Sequence, residues 1–288
     1  MDFAFFLIQL LNGLQYGLLL FLVASGLTLV FGIMGIVNLA HGSFYMIGAY
    51  LAWSLAGMTD SLAVAILLGV PLTVILGMGL ERLLFQYLYH RDHLYQVLLT
   101  YGLILVFEEL RSVIWGDDVH GVAVPALLSG SIPLTDNLSY PVYRLVMSGF
   151  CLLLAGGLYW LIQKTRLGMM IRAGSTNREM VQALGINIKL LYTLVFALGV
   201  ALAAFAGMIA APVSSVYPNM GAQVLIVCFV VVVIGGIGSV WGALLASILI
   251  GMTDTFGKVL LPEYAGMSTY LLMVLVLLWR PEGLFKRA

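Results

Sequence analysis

The side chains in this sequence that could take part in catalysis lie in a short polar cluster within an apolar stretch. Residues 32–50 read GIMGIVNLAHGSFYMIGAY and place Asn38, His41 and Ser43 among four glycines. A histidine near a serine could act as base and nucleophile, but nothing supplies the group that would orient the histidine. The sequence also has no HExxH or GxSxG motif. We therefore predict no catalytic residue and no metal site in this chain.

The same cluster allows two other interpretations. Polar side chains within a membrane span are costly and usually face the bundle interior or a cavity, and glycine lets helices approach closely or break. Asn38, His41, Gly42 and Ser43 could therefore form a solute pathway or gate. Alternatively, Asn38 and His41 only join helices by hydrogen bonds, and the residue types favour neither interpretation. On a continuous helix the two side chains would share a face.

A second glycine-rich segment, GGIGSVWG from Gly235 to Gly242, interrupts a long apolar run. It lacks the GxxxxGK[ST] spacing of a phosphate-binding loop, and no strand precedes it. Residues 251–258 (GMTDTFGK) have one residue too many before their final Gly-Lys pair, and valine follows where serine or threonine is needed. We therefore predict that the chain has no nucleotide site, and that its energy comes from a partner or an ion gradient.

A basic island of 25 residues runs from Thr165 to Lys189 (TRLGMMIRAGSTNREMVQALGINIK), with apolar runs on both sides. It has one acid, Glu179, and the positive-inside rule places it in the cytoplasm. Residues 176–179 (TNRE) read as a capping box and Gly185 as a C-cap, which predicts a helix from about Asn177 to Leu184. Such a projecting helix is typical of ABC permeases, which receive force from a separate ATPase. The alternative is an ordinary helical connector.

The composition is that of a polytopic membrane protein. Of the 288 residues, 62% are hydrophobic and 9% are charged, and the mean hydropathy is +1.08. Soluble domains carry roughly 25% charged residues. The 13 basic residues balance the 13 acidic ones, so only the distribution of charge is informative. We expect the lipid bilayer as surroundings and no nucleic acid as partner.

Apolar runs of about 20 residues can cross a bilayer. The candidate spans are 4–33, 36–57, 61–82, 95–115, 141–163, 190–212, a pair within 222–258, and 266–279. The first is too long for one straight helix and carries polar side chains, so we expect it to bend or break. The sequence predicts an all-α membrane bundle of about 8–9 transmembrane segments, forming one domain over residues 1–288. One pair of segments forms a glycine-broken or re-entrant hairpin.

The charges of the loops predict the orientation. Residues 83–94 and the C-terminal tail carry basic side chains and are predicted to be cytoplasmic, whereas residues 116–140 contain aspartates but no Lys or Arg and are predicted to be external. Counting the spans between these loops places the N-terminus outside and the C-terminus inside.

An ion-coupled secondary carrier is an alternative function. Such a carrier usually keeps ionisable groups within its spans. The candidates here are Glu108, Glu109 and Arg111 near an outer helix end, and Asp254 with Lys258, which are spaced to pair on a helix surface. No carboxylate lies in the middle of an apolar run, which weakens this alternative.

Four segments of the chain resemble the LivH-type inner-membrane permeases of branched-chain amino acid ABC importers. They are 12–52 (which includes NLAHGSF), 165–187, 233–245 (VIGGIGSVWGALL) and 280–285 (RPEGLF). The NLAHGSF motif and a short N-terminus favour the LivH-type subunit over its longer LivM-type partner. Urea and short-chain amide importers use similar permeases and remain the alternative at the level of the substrate.

The resemblance implies a place in a larger assembly of the bacterial inner membrane. A LivM-type permease would complete a heterodimer, a periplasmic binding protein would deliver the solute, and two cytoplasmic ABC ATPases would bind and hydrolyse ATP. The chain itself would then be a permease and not an enzyme, and it would carry no cofactor.

The resemblance also assigns roles to residues. Residues 165–187 would be the ATPase-coupling loop, with hallmark positions Arg172, Ala173, Gly174, Ala183, Leu184, Gly185, Ile186 and Asn187. On the predicted helix Met180, Val181 and Leu184 lie on one side and would enter a groove of the ATPase. Arg172 and Arg178 would pair with acids at the groove's rim. The solute route would be lined by residues 38–43 and by Gly235, Gly236 and Gly238.

Overall fold

The computed structural model describes residues 3–89, 91–135 and 138–285. His90, Asp136, Lys286 and Arg287, which contribute to the predicted orientation of their loops, lie outside the described residues.

The described chain is almost entirely helical. In order, the helices are α1 (Phe3–Met34), α2 (His41–Thr59), α3 (Leu62–Leu83), α4 (His93–Trp115), α5 (Val142–Lys164), α6 (Arg166–Thr176), α7 (Arg178–Ala183), α8 (Ile188–Ser214), α9 (Met220–Gly235), α10 (Val240–Leu260) and α11 (Ala265–Trp279). Short 3-10 turns cover Phe85–Tyr87, Ala126–Leu128 and Pro262–Tyr264. The predicted all-α membrane bundle is confirmed, with one small departure. Strands β1 (Ser131–Thr135) and β2 (Leu138–Pro141) pair antiparallel within the 116–140 loop.

Helix α1 is one continuous helix of 32 residues. The predicted break was wrong, because Gln15, Ser25 and Thr28 are buried in the bundle and do not interrupt the helix. The Ser25 hydroxyl donates to the Leu22 carbonyl at 2.9 Å, so it is satisfied within its own helix. At 1.5 Å per residue α1 is about 48 Å long, which exceeds the roughly 30 Å of a bilayer's hydrocarbon core.

The second span differs most from its prediction. Residues 35–40 are not helical, and α2 begins at His41 instead of residue 36. Gly35 has a φ of 67°, a left-handed value that glycine tolerates and that ends α1. Helix α2 then starts beside the interior of α1, where the His41 ring nitrogen Nε2 lies 2.9 Å from the Val23 carbonyl oxygen.

Within the described residues, five helical segments are long and apolar enough to cross a membrane: Phe3–Met34, Leu62–Tyr87, Val142–Lys164, Ile188–Ser214 and Val240–Leu260. Helices α9 and α11 are apolar but shorter. As predicted, a glycine turn joins α9 to α10 within residues 222–258.

The helices at the centre make reciprocal contacts. Helix α1 packs on α10, and α3 packs on α8. In addition, α1 packs on α8, and α2 packs on α9. Glycines allow these close approaches. A Cβ atom added to Gly26 of α1 would lie 2.8 Å from the carbonyl oxygen of Gly199 in α8, and one added to Gly199 would lie 3.1 Å from that of Gly26. These contacts join α1–α3 to α8–α10 in one packed centre.

Candidate coupling helix and solute pathway

The basic island folds into two short helices, α6 and α7, that meet at Asn177. The Asn177 side chain accepts a hydrogen bond from the Met180 amide at 3.0 Å and caps α7. The predicted capping box was therefore wrong by one residue. Thr176 ends α6 instead, and its hydroxyl donates to the Arg172 carbonyl at 3.1 Å. Asparagine is a strong N-cap and takes over the role assigned to threonine.

The end of α7 agrees with the prediction for Gly185. This residue has a φ of 85°, and its amide donates to the Gln182 carbonyl at 3.0 Å. The next amide, of Ile186, donates to the Val181 carbonyl at 3.3 Å. Together these two bonds form a Schellman motif, which glycine favours because the left-handed conformation costs it little.

One side of α7 is exposed and apolar. Met180 and Leu184, one helical turn apart, are 59% and 74% exposed. Val181, predicted to lie with them, is only 3% exposed and belongs to the buried side. The residue assignment was wrong there, because neighbours along a helix lie about 100° apart and only the i,i+4 pair shares a face.

Of the remaining predicted coupling residues, two contact other helices of this chain and the others are exposed. The Arg172 guanidinium donates to the Ile162 carbonyl at the end of α5, and Gly174 is buried against Leu191 of α8. Arg172 thus has a partner within this chain. The other predicted residues are exposed on the surface of α6 and α7, namely Ala173, Arg178, Glu179 and Ala183.

The polar cluster is buried where α2 begins. The Asn38 side-chain oxygen accepts from the Ala40 amide at 3.1 Å, so its amide group folds over the start of α2. Asn38 and His41 do not share a helical face as predicted, because Asn38 precedes the helix. In the described residues, Asn38 Nδ2 and His41 Nδ1 are both buried without a hydrogen-bond partner. Because His41 Nε2 faces a carbonyl oxygen, it carries the proton, and Nδ1 is then an acceptor.

The starts of α2 and α9 meet at two glycines. Gly42 is the second residue of α2, and a Cβ atom added to it would overlap the carbonyl oxygen of Gly221, the second residue of α9. A Cβ atom on Gly221 would in turn lie 2.7 Å from the Gly42 carbonyl oxygen. Ser43 is buried directly after this contact. The contact leaves no room for a solute between the two backbones.

The other predicted pathway glycines lie in the α9–α10 turn. Gly236 and Gly238 have φ values of 94° and 78°, and Gly235 packs against Gly242. The carbonyls of Ile234 and Gly235 accept hydrogen bonds from the C-terminal segment, residues 280–285. The atoms nearest to these glycines belong to α1, α10 and the C-terminal segment, so they are not brought together with residues 38–43.

That C-terminal segment closes the turn. The amide of Leu284 donates to the Ile234 carbonyl at 2.7 Å, and the amide of Phe285 donates to the Gly235 carbonyl at 3.3 Å. These bonds satisfy acceptors that a helix end leaves without an intrahelical partner.

Four of the five ionisable groups considered for a carrier are paired, and the fifth, Glu109, is exposed. Asp254 and Lys258 form the predicted bridge at 2.6 Å. Arg111 bridges Glu108 at 3.3 Å and Asp117 at 2.8 Å. The hydrogen bond from Arg111 lowers the pKa of the exposed Asp117 carboxyl below its usual value.

Sequence reasoning missed one buried acid. Glu81, near the end of α3, accepts hydrogen bonds from the Tyr89 hydroxyl and from the Thr193 hydroxyl, the latter at 2.7 Å. Thr193 lies in α8, shortly after α7, so this acid ties α3 to the helix that follows the coupling segment. Its only sequence signal was a carboxylate in the last turn of an apolar run.

Known transport permeases are similar to this chain over nearly its full length. A family model described as the permease component of branched-chain amino acid transport systems matches residues 9–277. The high-affinity branched-chain amino acid transport permease BraD of Pseudomonas aeruginosa is 32% identical over 98% of this chain and 96% of its own length. LivH of Escherichia coli K12 is 29% identical, over 99% of this chain and 97% of its own length. No solved structure matches the chain.

The share of each relative that the match covers distinguishes LivH-type from LivM-type permeases. LivM of Escherichia coli K12 is 28% identical over 91% of this chain, but the match covers only 67% of LivM. The resemblance to LivH-type permeases is confirmed. The chain belongs to the family of permease components of branched-chain amino acid transport systems, as a LivH-type member.

Proposed function

We propose that this chain is a permease subunit of an ATP-driven importer that moves branched-chain amino acids into the cell by alternating access. The observation that carries this function is family membership over residues 9–277, together with the names of BraD and LivH. Those names favour branched-chain amino acids over urea or short-chain amides. The paired ionisable groups favour an ATP-driven mechanism over an ion-coupled carrier.

In this mechanism the α6–α7 unit transmits force from a cytoplasmic ATPase. The exposed Met180 and Leu184 side chains enter a groove of the ATPase, and Arg178 pairs with an acid at its rim. Because Arg172 binds the end of α5 and Gly174 packs on α8, a displacement of α7 moves both transmembrane helices. The Glu81–Thr193 bond extends the moving unit to α3.

The solute route runs past the start of α2. The Gly42–Gly221 contact closes it in the conformation seen here, and Asn38 and His41 lie beside this closure with unpaired polar atoms that can meet a passing solute. The α9–α10 glycine turn was predicted to line this route. We leave it out of the proposed lining, because the C-terminal segment packs into that turn.

Nine membrane crossings fit the connections between helices. One crossing each is made by α1–α5 and by α8–α11, with α2 and α9 starting within the bundle. The N-terminus is then outside and the C-terminus inside. The 116–140 loop and the α8–α9 turn share the outer side, in keeping with the His120–Val216 backbone pairing at 2.8 Å.

The orientation predicts the reactivity of introduced cysteines. With Cys151 and Cys228 replaced by alanine, a cysteine at Ser129 should react with an impermeant thiol reagent added to intact spheroplasts, and one at Ser175 should not. Both should react after the membrane is permeabilised, which controls for burial. Labelling of Ser175→Cys from the outside would overturn the orientation.

Reconstitution tests the function itself. The chain should copurify with a LivM-type permease and two ABC ATPases, and proteoliposomes of this complex should accumulate L-leucine when ATP and a periplasmic binding protein are supplied. Competition by L-isoleucine and L-valine, but not by urea or acetamide, is expected. Uptake of urea in place of leucine would contradict the proposed substrate class.

A further inference from the structure

A cavity of about 250 Å³ lies on the outer side of the Gly42–Gly221 contact. Its lining comes from α1, α2, α5, α8 and α9, and the polar lining residues are Gln15, Tyr16, Tyr45, Ser214, Tyr217 and Gln223. The α8–α9 turn at its rim pairs with the 116–140 loop, which places the cavity toward the predicted external face. Neither the sequence motifs nor the family comparison assigns these residues a role.

The start of α9 borders this cavity at Met220. Asn219 precedes the helix in a left-handed conformation and gives no side-chain cap. The first turn of a helix leaves amides without intrahelical acceptors, and its dipole favours negative charge. The Met220 amide donates to the Tyr217 carbonyl at 3.4 Å, so the next amides of this 16-residue helix, those of Gly221 and Ala222, are the ones that could bind an anion such as a carboxylate.

Gln15 is a second and independent indication of a ligand. It lines the cavity and is only 6% exposed. Its amide nitrogen donates to the Met147 sulfur at 3.4 Å, and none of the described residues donates a hydrogen bond to its amide oxygen. A thioether is a weak acceptor, so the amide keeps hydrogen-bonding capacity for a ligand. An ammonium group in the cavity would supply a donor to the amide oxygen.

The rest of the lining is apolar and contains no charged side chain. Leu19, Val213, Val224 and Val227 give it a surface that suits a branched aliphatic group. The cavity volume is slightly below the roughly 300–1,000 Å³ of typical drug-sized sites, as a small solute requires.

We propose that this outer cavity binds the transported amino acid, with the carboxylate at the start of α9, the ammonium group at Gln15 and the aliphatic side chain against the valines. This inference rests on the proposed function and adds a binding site to it. The Gly42–Gly221 contact then closes the route beneath the bound solute.

A thiol-protection experiment on the assembled complex tests the site without ATP or the binding protein. The rim residue Ser214 is changed to cysteine in the background that lacks Cys151 and Cys228, and its rate of modification is read as mass change of this chain. L-Leucine should slow the modification of Ser214→Cys and leave a cysteine at Ser129 unaffected. L-Leucinamide, which lacks the carboxylate, should protect poorly.

A second variant tests whether the protection of Ser214→Cys by L-leucine depends on the lining of the cavity. Adding Gln15→Leu should weaken the protection by L-leucine roughly ten-fold, the effect of losing a hydrogen bond to a charged group, while Tyr101→Phe on the outer surface of α4 should not. Absence of protection in a complex that does transport leucine would overturn the site and leave the proposed function standing. Equal protection by leucinamide would overturn the role of α9. A complex that takes up no leucine would contradict the function itself.

Discussion

Leu184→Asp is expected to leave the chain folded in the membrane and to reduce ATP-driven uptake by more than ten-fold. Leu184 is exposed on α7 and makes no contribution to the core, so folding does not depend on it. Burying a leucine side chain in a partner's groove is worth about 1.5–3 kcal/mol. An aspartate at the same place loses this and adds the cost of desolvating a carboxylate. Each 1.4 kcal/mol corresponds to about ten-fold in affinity.

The matched control is Leu127→Asp. Leu127 is even more exposed, at 97%, but lies in the 116–140 loop, which precedes α5, whereas α7 follows α5. It should retain uptake and ATPase activity. Met180→Asp should behave like Leu184→Asp, because the two side chains share a face. Normal uptake by a reconstituted Leu184→Asp complex would refute the coupling role of this face.

Gly42→Ala is expected to abolish transport by pushing apart the starts of α2 and α9. The added methyl group would overlap the Gly221 carbonyl oxygen and lie 2.8 Å from the Leu225 Cβ atom. Two backbones must then move, and overpacking of this kind costs about 1–3 kcal/mol or more. We expect a lower melting temperature of the purified complex and at least a ten-fold loss of uptake.

Gly57→Ala is the control on the same helix. No atom lies within 4 Å of a Cβ atom added to Gly57, so the change only improves helix propensity, by up to about 1 kcal/mol. Its uptake should match that of the unmodified protein. A Gly42→Ala complex with unchanged melting and uptake would show that the glycine contact is neither a packing requirement nor a closure.

Much of the fold follows from local sequence signals. Apolar runs predict α3, α5 and α8 closely because each is a long, uninterrupted helix with a polar connection at both ends. Gly185 was predicted correctly because a Schellman motif needs only a left-handed residue after the last apolar position. Such features depend on a few neighbouring residues, which a single sequence displays in full.

Features that depend on distant contacts were not predictable. At the break over residues 35–40, Gly35 ends α1 locally, but the start of α2 at His41 involves a contact between the His41 ring and the Val23 carbonyl in α1 that no local pattern encodes. Val181 turns inward because α8 is there to pack against. Glu81 finds its partner 112 positions away, at Thr193. The candidate cavity likewise draws its lining from five helices, and spacing along the chain gives no sign of it.

The closure of the α9–α10 turn by the C-terminal segment has a consequence for biosynthesis. Leu284 and Phe285, which satisfy the Ile234 and Gly235 carbonyls, are synthesised after α10 and α11. Chains fold from the N-terminus as they are made, so α9 and α10 enter the membrane before these two carbonyls have acquired their final donors. The turn is therefore completed only after α11 has been synthesised, and the same is true of any assembly step that requires the finished turn.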